Sequence, residues 1–269
     1  METQIPNKSG GSLNVVGTGI KLISHITLET QALIQHADQV FFLVNNVVLA
    51  EWIRELNPTA ESLDSFYAAG KPRIQTYREM VQIILVSLRK GLHVCAIFYG
   101  HPGVYVTPVH EMILQARHEG FRAQIMPGIS AEDCLFADLA LDPAIDGCQS
   151  FDATEFLLRK RGPDITSNLI LWQIGLTGSL YPTAEGSVGI QLLTDILIDK
   201  YGSNHNIVIY EASELSISQP RIDWIPLSQL PLAKLNNAST LYIPPKVSAA
   251  LDSEMMLRLG INALDFFSR

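Results

Sequence analysis

Two short loops carry the residue types best suited to holding a small ligand. Tyr99-Gly100-His101-Pro102-Gly103 sets two glycines around a His-Pro pair, just after an apolar run. Proline fixes one backbone angle and glycine frees its own, so the loop is stiff, exposed and able to cradle a cofactor with its backbone groups. The same residues also suit a plain turn with an incidental histidine. Gly17-Thr18-Gly19 follows another apolar run and lets the backbone turn tightly and approach a ligand. Arg73 and Tyr77 are four residues apart, which places them on one face of a helix, and Tyr67 lies just upstream. Taken alone, these three read as an amphipathic helix edge and a core aromatic with a wet hydroxyl, and nothing local lifts them above that reading.

Several chemistries are disfavoured. A dinucleotide fingerprint needs a third glycine where Leu22 stands, and an acid near the end of the second strand where Asn45 and Asn46 stand. No G-x-x-x-x-G-K-[ST] and no G-x-S-x-G is present, and no Ser–His–Asp set can be picked out. His101 has no second histidine at a ligand spacing, and His110 and His118 sit apart from any suitable carboxylate cluster, so no metal site is expected. Cys95, Cys134 and Cys148 lack metal or redox spacing and read as small core residues in a reducing cytoplasm.

The elements that must position these residues alternate. Apolar runs at 13–16, 40–44 and 94–98 predict strands, and 121–126 reads as another. Helices are predicted from Thr27, over 47–56, over 73–90 and over 107–120, and another is capped by Ser130 with Glu132 and Asp133 in its first turn. Such alternation implies a mainly parallel sheet with helices on both faces, and ligands bind at the carboxyl ends of its strands. The Gly17, Tyr99–Gly103 and Pro127–Ser130 loops all fall there. The second half is less regular: strands at 168–172, 206–210 and 240–243, helices at 190–200 and 248–259, and a Gly/Ser/Thr-rich loop at 177–189.

The 269 residues are 47% hydrophobic and only 17% charged, enough for a substantial core. The net charge of -8 disfavours nucleic acid and anionic membranes as partners. The basic run Arg159-Lys160-Arg161 reads as the charged end of a helix. No apolar run reaches membrane-spanning length, and the polar stretch at residues 1–12 lacks the apolar core of a signal peptide.

Taken in order, the loops resemble the tetrapyrrole-methylase family. The likeness rests on Gly17-Thr18-Gly19, Tyr99 to Gly103, Pro127-Gly128-Ile129-Ser130-Ala131 and Ala238-Ser239-Thr240-Leu241. It implies a two-domain α/β fold, mostly parallel in the first domain (12–127) and mixed in the second (128–269), after a flexible tail (1–11). S-adenosylmethionine would fold into the cleft between the domains and leave as S-adenosylhomocysteine. Ser65 to Ala68, Arg73 with Tyr77, Gln149-Ser150-Phe151 and Leu171 to Gly175 narrow the likeness to the borosin peptide-backbone N-methyltransferases. By that resemblance Tyr67, Arg73, Tyr77 and Tyr99 match the active-site set. Gly17, Gly19, Tyr99, Gly100, His101, Pro102, Val104, Ser130, Ala131 and Gln173 match the cofactor site. In fungal borosins the substrate is fused behind the enzyme. Here the sequence ends at Arg269 without a repetitive apolar tail, which resembles the split type. The expectation is then a homodimer acting on a separate precursor peptide, as a heterotetramer with two precursors. The Gly70-Lys71-Pro72 link matches no fixed pattern.

The chemistry is demanding. A peptide nitrogen is a poor nucleophile, because its lone pair is delocalised into the carbonyl. Its proton is held about as tightly as water's, pKa ~15.7. Ionising it at pH 7 costs on the order of 12 kcal/mol. A tyrosine, pKa ~10, beside a guanidinium narrows that gap. Tyr77 helped by Arg73 is therefore expected to take the amide proton, with Tyr67 or Tyr99 hydrogen-bonding the carbonyl oxygen. The rival expectations are methylation of a tetrapyrrole carbon and a silent S-adenosylmethionine-binding module.

Overall fold

The computed structural model describes residues 10–68, 70–179 and 188–262. The first part of the chain runs β1 (Ser12–Gly17), α1 (Leu28–His36), β2 (Gln39–Leu43), α2 (Val47–Leu56), β3 (Glu61–Ser62), α3 (Arg73–Arg89), β4 (His93–Phe98), α4 (Thr107–His118) and β5 (Arg122–Ile125). These strands form one wholly parallel sheet in the order β3-β2-β4-β1-β5. Strand side chains alternate between faces. Leu13 and Val15 of β1 pack with Met80, Ile84 and Leu88 of α3. Val16 packs on the opposite face with Ile34 of α1 and Ile53 of α2. The predicted helix starts hold: Thr27 accepts from Thr30 N, and Pro108 lies in the first turn of α4.

A linking stretch holds α5 (Ala131–Asp138) and the short α6 (Pro143–Asp146). The chain then continues through β6 (Cys148–Asp152), α7 (Ala153–Leu158), β7 (Asn168–Trp172), α8 (Val188–Tyr201), β8 (Asn206–Glu211), β9 (Arg221–Pro226), β10 (Thr240–Ile243) and α9 (Ser253–Leu259). The second sheet has the order β6-β7-β10-β8-β9, with β6 and β7 parallel and the other pairs antiparallel. The α/β fold with a parallel first sheet and a mixed second sheet is thus the one expected.

Three local expectations change. The helix expected over 248–259 begins only at Ser253. Asp252 caps it through Met255 N, and the preceding chain is tied elsewhere by Lys246 N to Ile165 O at 2.8 Å. The edge strands β6 and β9 carry mixed polar residues and escaped a reading based on apolar runs. The loop expected at 177–189 lies mostly outside the described residues, and α8 already begins at Val188. The basic run does follow a helix, α7, as expected.

One buried cluster joins the two halves: Ile20, from the loop after β1, clusters with Leu135 of α5 and with Ile170, Trp172, Val208 and Tyr210 of the second sheet. Burying such side chains stabilises the fold by roughly 1.5–3 kcal/mol each. Cys95 and Cys134 are buried, and all three thiols are unpaired. Among the described residues, no helix is long and apolar enough to cross a membrane.

Candidate active site

Parallel pairing of Gly17 with Phe98 makes the loops after β1 and β4 emerge side by side at the carboxyl edge of the first sheet. They interlock through backbone bonds, Gly19 N to Gly100 O at 3.2 Å and Gly100 N to Gly19 O at 3.1 Å. The glycines are what permit this approach. A Cβ on Gly17 would lie 2.1 Å from the Gly100 carbonyl oxygen and 2.7 Å from Pro102 Cδ. A Cβ on Gly19, at φ +66°, would meet His25 Cβ at 2.2 Å. Histidines pin the second loop. His101 Nδ1 accepts from Gly103 N, and His110 Nε2 donates to Gly103 O, both at 2.9 Å.

Over this interlock sits a hollow of about 290 Å³. Seven residues expected around the cofactor line it: Tyr99, Gly100, His101, Val104, Ser130, Ala131 and Gln173. Gly17, Gly19 and Pro102 do not; they lie behind the wall and shape it. Ser130 contributes less than its hydroxyl suggests, because that group is engaged in a capping box with Asp133. Gly17→Ala is expected to push the Gly100 loop aside, costing about 1–3 kcal/mol of stability by overpacking. It should also weaken donor binding; thermal melting with and without S-adenosylmethionine checks both effects.

A larger cleft of about 760 Å³ adjoins the hollow. Arg73, Tyr77, Ser150 and Phe151 line it, and Tyr105 and Gln173 line both spaces. Pro72 directly precedes α3, so Arg73 begins that helix, and its guanidinium donates across to Ser179 O at 2.9 Å. The Gly70-Lys71-Pro72 link is pinned as well. Lys71 Nζ donates to Phe66 O at 2.8 Å and pairs with Glu79 at 2.5 Å. That staple holds Tyr67 beside α3, where its phenol neighbours that of Tyr77. Burial, then the charge and hydrogen bond of Tyr77, push the Tyr67 phenol well above its ordinary range, against a smaller opposing pull from Arg73. Tyr67 and Tyr99 share the wall of a third hollow of about 280 Å³. Burial first, then Glu214, also raises Tyr99. The structure thus gathers Tyr67, Tyr77 and Arg73 into one group and sets Tyr99 between that group and the smaller hollow.

The walls of the 290 Å³ hollow fit the methyl donor. Small residues (Gly100, Ala131, Ala212, Ala238) leave room for a purine. Tyr99 brings aromatic surface to the wall, backed by the buried Trp172 and Tyr210, which suits a sulfonium. Glu132 and Glu214 can accept from ribose hydroxyls or the ammonium group. Sequence reasoning gave no role to Tyr105, Trp172, Tyr210 or Glu214. Glu214 is instructive: its Oε1 accepts from Asn45 Nδ2 at 3.0 Å, and its carbonyl accepts from Leu22 N at 2.8 Å. The loop between β8 and β9 therefore supplies an acid near the end of β2, where the sequence has two asparagines.

Residues 12–215 match the family described as Tetrapyrrole (Corrin/Porphyrin) Methylases. A methyltransferase and ribosomally synthesized cyclic peptide gymnopeptides precursor from Gymnopus fusipes is 40% identical over 266 residues, covering 96% of this chain and 63% of that protein. A methyltransferase and type I borosin cyclic peptide precursor from Serendipita vermifera subsp. bescii is 40% identical over 258 residues, covering 93% and 63%. The chain therefore spans about 63% of the length of these relatives. In fold, it superposes on uroporphyrin-III-C-methyltransferase from Thermus thermophilus with a TM-score of 0.62 at 14% identity, over 91% of this chain and 99% of the other.

Proposed function

The chain belongs to the tetrapyrrole (corrin/porphyrin) methylase family, and we propose that it uses S-adenosylmethionine to methylate backbone amide nitrogens of a precursor peptide. The observation that carries this reading is the adjacency of two spaces. One is a small aromatic-walled hollow suited to the donor. The other is a larger cleft lined by Tyr77 and Arg73, with Tyr67 against Tyr77 in the neighbouring third hollow, and Tyr105 and Gln173 wall both spaces. The relatives named as methyltransferase and cyclic-peptide precursor supply the substrate class. We take 12–127 and 128–269 as the two domains.

The donor supplies an electrophilic methyl group. Tyr77 takes the amide proton. Tyr67, whose burial keeps it protonated, donates a hydrogen bond to the Tyr77 oxygen and steadies the negative charge there. Arg73 adds positive charge beside the two phenols. Tyr99, also held protonated, offers a hydrogen bond to the carbonyl oxygen as it gains charge. The rest is alignment of methyl, nitrogen and base in one space. A tetrapyrrole polycarboxylate fits the cleft less well, because Asp152 and Glu155 line it as well as Arg73 and Arg161.

The substrate is proposed to be a ribosomally made precursor peptide, the class that the relatives' names supply. The enzyme is proposed to be a dimer with one precursor for each protomer, working in the cytoplasm; three unpaired thiols accord with a reducing compartment. Co-expression with a candidate precursor followed by intact-mass and fragment analysis tests the reading. Mass gains in steps of one methyl, localised to backbone nitrogen, are expected. An unmodified precursor, with donor bound by calorimetry, overturns the peptide reading and leaves the tetrapyrrole methylase and the silent binding module.

A further inference from the structure

Three donor groups meet where the donor hollow opens on the cleft. The Trp172 indole N–H donates to Ser150 Oγ at 2.8 Å, and Ser150 Oγ lies 3.1 Å from the Tyr105 hydroxyl. An indole N–H can only donate, whereas each hydroxyl has one proton and two lone pairs. One hydroxyl must donate to the other. Whichever does so, one hydroxyl proton is left over, and among the described residues neither group makes a further hydrogen bond. Tyr105 and Ser150 both line the large cleft. The Trp172 side is closed, since that side chain is only 7% exposed.

We propose that Tyr105 and Ser150, held in place by Trp172, present this remaining proton to a carbonyl oxygen of the peptide in the cleft, as a second grip on the substrate apart from the Tyr67–Tyr77 pair. The proposal rests on the peptide reading above. Its chemistry suits a neutral acceptor: the pair offers a donor without net charge, which matches an amide carbonyl better than a carboxylate. Chained hydroxyls polarise one another, so the terminal donor is strengthened. Burial lifts the Tyr105 phenol to about 12, which keeps it a neutral donor throughout the working range. The backbone accepts strain to place it, because Tyr105 sits at φ +55°, a region unfavourable for a bulky side chain. The contact also spans the fold. Tyr105 follows β4 of the first sheet, while Ser150 and Trp172 lie on β6 and β7 of the second.

The test uses the full-length protein saturated with S-adenosylhomocysteine and a fluorescein-labelled, end-blocked peptide of alternating valine and glycine, followed by anisotropy. Tyr105→Phe or Ser150→Ala alone leaves one hydroxyl and should weaken binding only about two- to threefold. The double variant leaves none and should weaken it about tenfold, with a matching rise in KM. Calorimetry with S-adenosylmethionine checks that each variant is folded. Where Ser150→Ala weakens the fold, Ser150→Cys, close in size and a poor donor, replaces it with the same expectation. A double variant that binds the peptide like the native chain overturns the proposal. A native chain that binds the donor but no peptide sinks the peptide reading, and this grip with it.

Discussion

The Tyr77→Phe protein should bind S-adenosylmethionine within about twofold of the native affinity and transfer methyl groups about 100- to 10,000-fold more slowly, the range for loss of a positioned base. The two expectations separate because Tyr77 lines the large cleft and not the donor hollow. The substitution removes one oxygen and leaves the ring packed against the α3 core cluster, so the fold should survive. Tyr67 cannot take over. Burial and its neighbour hold its pKa above the ordinary phenol range, so it keeps its proton as pH rises. Tyr99 is held protonated in the same direction. Neither donor is therefore lost below about pH 10, and any rise in native rate with pH in that interval belongs to another group. Single-turnover mass spectrometry reads the effect directly; full activity in Tyr77→Phe would remove Tyr77 as the proton acceptor.

Arg73→Ala carries the second large expectation, a loss of turnover of about 100-fold. Two contributions combine. The guanidinium is the positive charge beside the phenols, and it also ties the start of α3 to the Ser179 carbonyl across the cleft. Arg73→Lys separates them. An ammonium keeps a point charge but lacks the planar fork, so it should recover part of the rate while leaving the cleft less ordered. An alanine variant with the native rate would remove arginine from the mechanism, and a lysine variant no better than alanine would assign its role to the tether.

The central strands of the first sheet, β2 and β4, were legible because they are continuous apolar runs, as strands covered on both faces require, whereas the two-residue edge strand β3, Glu61-Ser62, has no such signal. The helix starts were legible because Thr27 and Ser130 are caps with ordinary spacing. The edge strand β6, Cys-Gln-Ser-Phe-Asp, has no such signature, although it delivers Ser150 to the cleft. Tyr105 and Ser150 are 45 residues apart, and Asn45 and Glu214 are 169 apart. No local periodicity encodes a meeting at that separation; it exists only once two sheets have docked. The glycines were recognised for their loops but assigned to the ligand, because composition does not tell a backbone that approaches a cofactor from one that approaches another backbone. Gly17 against the Gly100 carbonyl is the second kind.

The wall of the donor hollow begins at Ile20 and ends at Thr240, drawing on both sheets and the segment that links them. Nearly the whole chain must be synthesised before that chamber exists, so a nascent fragment has nowhere to capture the metabolite. Occupancy then reports complete assembly, and a tenfold excess of ligand over its dissociation constant would deepen the native basin by about 1.4 kcal/mol. In a cell, supply of the small molecule would thereby govern how long each copy escapes proteolysis.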